Sequence, residues 1–108
     1  MGFTRYWIRP KELDAERFVL FSAACRDACA DMAEVLANTV FGISQVSFEG
    51  KPRCETFTID QVSTGRIIRE NGVFECCKTQ KLPYDAAVAE CLDLLKDYFP
   101  EVEIEEPS

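Results

Sequence analysis

Histidine is missing from the chain altogether. Without an imidazole, Ser-His and Cys-His nucleophile systems are excluded, and so are the histidine-bearing zinc signatures. The six cysteines do not make up the difference, because no two of them stand as Cys-x-x-Cys. The five glycines form neither a phosphate-cradling loop nor a dinucleotide fingerprint. Long apolar runs are also lacking: none approaches the ~20 residues that cross a bilayer, so no membrane segment is expected. The opening Met1 to Trp7 has no basic-then-apolar plan of a secretory signal. Tyr6 stands where N-myristoylation wants Ser or Thr. The expected compartment is the cytoplasm, where thiols stay reduced and serve mostly as small apolar fillers. No metal and no cofactor are expected.

Positive charge is scarce, with 12 basic against 19 acidic residues and a net charge of −7. Its distribution is uneven. Residues 51–81 carry six basic and four acidic groups, whereas residues 82–108 carry one basic and eight acidic. A direct nucleic-acid binder is basic over its footprint, so none is expected here. A small anionic ligand held by the basic middle remains open, as does an acidic surface that imitates nucleic acid. The 47% apolar and 29% charged content is that of a globular chain, not a disordered one. Its 108 residues predict a single domain.

Phe3 to Arg9 alternates aromatic and polar groups up to Pro10, which predicts a strand with Tyr6 and Trp7 on opposite faces. From Lys11 to about Thr39 the apolar residues Phe18, Phe21, Cys25, Cys29, Met32, Leu36 and Val40 recur at helical spacing. Asp14 and Glu16 suit the positive end of that helix. Strands are expected over 43–48 and 54–59, the second with Glu55 awkwardly sharing a face with Phe57 and Ile59. A short edge over 66–69, a turn at Glu70-Asn71-Gly72 and a return strand over 73–79 follow. Pro83 then opens a second helix with Asp85 placed to cap it. Its inner stripe is Val88, Cys91, Leu92, Leu95 and Phe99, and it stops before Pro100. Val102 and Ile104 alternate with glutamates in a last edge strand. The fold class is α+β: a mostly antiparallel sheet with two α-helices packed on one face.

Chemistry concentrates in Phe74 to Asp85, a strand running through a turn into a helix. Lys78 and Lys81 there flank Thr79 and precede Tyr84 and Asp85. A strand end feeding a helix N-terminus is a natural anion site, and Tyr6, Trp7 or Tyr84 supplies a ring to stack a base. The alternative is a solvated lysine turn with Tyr84 stapling the helix start. Glu55 and Lys78 are the one pair suited to acid/base work.

The opening Met1-Gly2-Phe3-Thr4-Arg5-Tyr6-Trp7, the tetrad Cys54-Glu55-Thr56-Phe57 and the run Cys77-Lys78-Thr79 to Lys81 and Pro83-Tyr84-Asp85 form a set. Together they resemble a family of small proteins carried by bacteriophages and prophages, which typically open Met-Gly-Tyr-Thr-His-Tyr-Trp. Arg5 replaces the family's histidine, Cys76 replaces an aromatic, and the acidic tail replaces a Ser-Asp-Gly ending. No reaction attaches to the family. The resemblance implies a phage origin, a host-cytoplasmic setting and a role against host defence. The expectation is a non-enzymatic module binding a small anionic, nucleotide-like ligand through Tyr6, Trp7, Glu55, Lys78, Thr79, Lys81, Tyr84 and Asp85. The alternatives are an acidic inhibitor docked on a host defence protein, and an enzyme using Glu55 and Lys78.

Overall fold

The computed structural model describes residues 3–52, 54–70 and 72–108. Met1 and Gly2 of the opening motif, Arg53 of the basic middle and Asn71 of the expected turn lie outside the described residues. The elements are β1 (Thr4–Pro10), α1 (Ala15–Ala28), β2 (Leu36–Phe41), β3 (Gln45–Gly50), β4 (Phe57–Asp60), β5 (Ile67–Arg69), β6 (Gly72–Lys78), α2 (Asp85–Tyr98) and β7 (Glu103–Ile104). The class is α+β, as the periodicities imply, but the strands form two antiparallel sheets rather than one. One has the order β5-β6-β1-β7 and the other β2-β3-β4.

β1 lies at the centre of the larger sheet. Thr4 to Pro10 pair with Lys78 to Gly72, and Trp7 and Ile8 pair with Ile104 and Glu103. Strand alternation turns Trp7 and Arg9 into the interior and leaves Tyr6 outside, where its ring meets Phe74 at 5.8 Å. Trp7 packs on Phe57 of the second sheet at 5.7 Å, so the two sheets share a core. Phe18, Phe21 and Cys25 of α1 and Val88, Cys91 and Leu95 of α2 complete that core.

The long first helix is half helix and half hairpin. Asp14 caps its start by accepting the Arg17 amide at 2.8 Å. The helix closes at Cys29, whose amide donates to the Cys25 carbonyl at 3.0 Å. Leu36 to Phe41 then pair with β3. A spacing of four residues, as in Leu36 and Val40, fits a strand period of two as well as a helical one, although a bulge between Ala37 and Val40 buries Leu36 and leaves Val40, expected in the core stripe, exposed. The helix also ends without the glycine that commonly marks a C-terminus, so the sequence carries no stop signal.

The 54–59 strand begins later than expected, at Phe57. Glu55 is exposed ahead of it, so its carboxylate does not share the buried face of Phe57 and Ile59.

Candidate functional site

At the end of β1 and β6, Asp85 does not cap α2. Tyr84 holds the N-cap position and makes no side-chain cap bond. The Asp85 carboxylate instead receives a two-pronged bond from Arg5, Nε to Oδ1 at 2.7 Å and Nη2 to Oδ2 at 2.8 Å. The Thr79 hydroxyl donates to Oδ1 at 2.5 Å. Burial works to raise the carboxyl pKa, but the bonds from Arg5 and Thr79 and the charges of Arg5 and Lys81 outweigh it and hold it below its ordinary value. Arg5, bonded to Asp85, is correspondingly held above its own.

This clamp fills the place where an anion would bind. The Gln80 amide is taken by the Phe3 carbonyl, Leu82 by Thr79, Asp85 by Leu82 and Ala87 by Tyr84. The Lys81 amide donates to the Thr79 hydroxyl at 3.2 Å. With these amides paired and a carboxylate already in the first turn, the site the spacing suggested is satisfied from within. Lys78 and Lys81 are exposed, and the Lys81 ammonium lies over the Phe3 ring at 5.6 Å.

A second knot joins Glu55, Lys78, Tyr84 and Cys77. The Lys78 amide, not its ammonium, donates to the Glu55 carboxylate. The buried Tyr84 hydroxyl donates to the Glu55 carbonyl at 2.9 Å and lies 3.8 Å from the Cys77 sulfur. Burial pushes the Cys77 thiol up to about 12 and raises Tyr84 as well. Tyr84 is 1% exposed, with its ring against Gly50, so it cannot stack on a base. Glu55 and Lys78 meet through the main chain and do not form an acid/base pair.

Trp7 leads to a third cluster. Its indole N–H donates to Glu75 at 2.8 Å, and the Ser63 hydroxyl donates to the other oxygen at 2.7 Å. The Arg9 guanidinium, buried 3.8 Å from Glu75, donates to the carbonyls of Pro10, Lys11, Asp60 and Gln61. Burial lowers the Arg9 pKa against the charges of Glu75 and Asp60. In front of this cluster a cleft of about 330 Å³ opens between the sheets, lined by Trp7, Thr56, Thr58, Asp60, Glu75 and Cys76, with Thr64 and Gly65 at its side.

A wider groove of about 750 Å³ runs between α2 and β7. It is lined by Asp93, Lys96, Asp97, Glu103, Ile104 and Glu105. Lys96 turns its ammonium onto the carbonyls of Pro100 and Val102, each at 2.7 Å. The four carboxylates are left facing solvent, apart from Glu103, which also meets Arg69.

The eight residues expected to form one ligand site therefore separate. Thr79 and Asp85 join the Arg5 clamp, while Glu55, Lys78 and Tyr84 join the second knot. Trp7 reaches the cleft between the sheets, Lys81 stands on Phe3 beside the Arg5 clamp, and Tyr6 lies on the outer sheet face. The cleft between the sheets has Trp7 in its lining, and among the described residues neither it nor the α2/β7 groove is lined by any of the other seven. Sequence reasoning missed Arg5, Arg9 and Glu75. The alternation that turns Trp7 inward also turns Arg5 and Arg9 inward, and a buried arginine demands acceptors. That was the available signal. No family model matches the chain, and neither a curated protein nor a solved structure matches it.

Proposed function

We propose that the chain is a non-enzymatic interaction module whose α2/β7 face binds a basic protein surface of the kind that otherwise binds nucleic acid. The observation that carries this reading is the groove of Asp93, Asp97, Glu103 and Glu105, whose one lysine is tied to backbone carbonyls. Clustered carboxylates on a fixed helix and strand steer a cationic partner and repel an anionic ligand. Glutamates along the β7 edge also disfavour pairing with a second copy of the same edge. The resemblance to phage-carried proteins supports a partner of the host-defence kind.

Capture from a bacterial lysate on the immobilised chain tests the reading. Raising salt from about 0.1 M to about 1 M shortens the Debye length from about 10 Å to about 3 Å. The partner is expected to elute over that range, and heparin is expected to compete it off. A partner that resists both, or the absence of any partner at low salt, contradicts the reading.

A further inference from the structure

The two sheets present bare strand edges to one another. The Glu105 amide donates to the Tyr6 carbonyl, so the even-numbered residues of β1 direct their main-chain groups to β7 and the odd-numbered ones to β6. In the register Arg5↔Cys77 and Trp7↔Glu75, the main-chain groups of Cys76 and Lys78 point away from β1. Among the described residues β5 pairs with β6 at Gly72 and Val73, short of Cys76. In the second sheet the Gln61 amide donates to the Ser44 carbonyl. With Val46↔Ile59 and Ser47↔Thr58 in register, Thr58 and Asp60 direct their main-chain groups away from β3. β4 is the last strand of that sheet.

The ends of this gap are closed by side chains standing in for a missing strand. At one end the Glu55 carboxylate takes the outward Lys78 amide. At the other the Arg9 guanidinium takes the outward Asp60 carbonyl. Between them lie Thr58 and Cys76, beside the polar cleft of about 330 Å³. That volume falls within the roughly 300–1,000 Å³ of ordinary ligand pockets. Among the described residues its lining holds the carboxylates of Asp60 and Glu75, three threonine hydroxyls and no cation; the buried Arg9 guanidinium, 3.8 Å from Glu75, offsets part of that negative charge and leaves the cleft acidic on balance.

We infer that this cleft accepts an extended peptide segment of another protein, added as a strand between β4 and β6, with a Lys or Arg side chain directed at Asp60 and Glu75. Main-chain bonds to Thr58 and Cys76 supply the pairing, as in other strand-addition sites, and the acidic lining supplies the side-chain preference. The site is separate from the α2/β7 groove, and each can be removed without the other.

The test selects a library of random linear peptides against the full chain, then measures alkylation of the exposed Cys76 by iodoacetamide. The enriched peptides are expected to carry Lys or Arg. At a concentration of ten times Kd they are expected to slow Cys76 alkylation about tenfold. They are expected to bind Asp93→Lys/Asp97→Lys as well as the unaltered chain, and not to bind Thr58→Pro. That proline removes an amide pointing out of the β3–β4 ladder, a position where an edge strand tolerates it. Should Thr58→Pro not fold, the unaltered chain alkylated at Cys76 replaces it and is expected to have lost the peptide. A library yielding no enriched peptide, peptides that leave Cys76 unprotected, or undiminished binding to the blocked cleft overturns the inference.

Discussion

Asp85 carries the most consequence of any single residue, because its carboxylate is buried and depends on Arg5 and Thr79 for partners. Replacing Arg5 by Ala strands that charge. A fully buried pair broken on one side costs 3–5 kcal/mol and an exposed pair under about 1, so this partly buried one is expected to cost about 2 kcal/mol by urea unfolding. The pH dependence has a defined sign. A carboxyl whose folded pKa lies below its ordinary value of 3.8 contributes stability above that value and loses it as pH falls through the folded pKa. Asp85→Asn should therefore be less stable than the unaltered chain at neutral pH and lose less on acidification. Equal acid sensitivity in both chains would contradict the clamp. Tyr84 and Lys78 divide in the same manner. Tyr84→Phe removes a buried bond to the Glu55 carbonyl and should cost about 1 kcal/mol. Lys78→Ala, at an exposed end, should cost under about 0.5 kcal/mol. Equal melting temperatures for the two variants would argue against Tyr84 as a packing residue.

Among the elements, those with one unambiguous period were legible in the sequence. β1 shows clean alternation, and α2 begins at Pro83-Tyr84-Asp85 and stops before Pro100. β3 buries Val46 and Phe48 as its pattern requires. β2 was hidden because its residues continue the four-residue spacing of α1. The site was less legible than the fold, for a related reason. Spacing reports which face a side chain occupies, not what it meets: the Arg5–Asp85 and Trp7–Glu75 bonds join residues far apart in the chain. The end of β3 shows how tightly these distant parts fit. A Cβ on Gly50 would lie 2.5 Å from the Tyr84 ring and 2.8 Å from the Cys54 sulfur. Gly50→Ala should therefore destabilise by about 1–3 kcal/mol as an overpacked core does. An unchanged urea midpoint would mean that β3 and the start of α2 are not in close contact.

On the scale of the whole molecule, charge separates the chain into distinct faces. The Arg5 and Arg9 cations turn inward and are consumed by Asp85 and by backbone carbonyls, while α2 and β7 keep their carboxylates at the surface. The proposed binding belongs to that face rather than to net charge alone. The most direct measurement compares two charge reversals of equal size for affinity toward the captured partner at one salt concentration. Asp93→Lys/Asp97→Lys alters the groove, and Glu16→Lys/Asp27→Lys alters the exposed side of α1. The groove reversal is expected to weaken binding at least about tenfold, or about 1.4 kcal/mol, and the α1 reversal to leave it nearly unchanged. Equal weakening by both, or full affinity with the groove reversed, would contradict it.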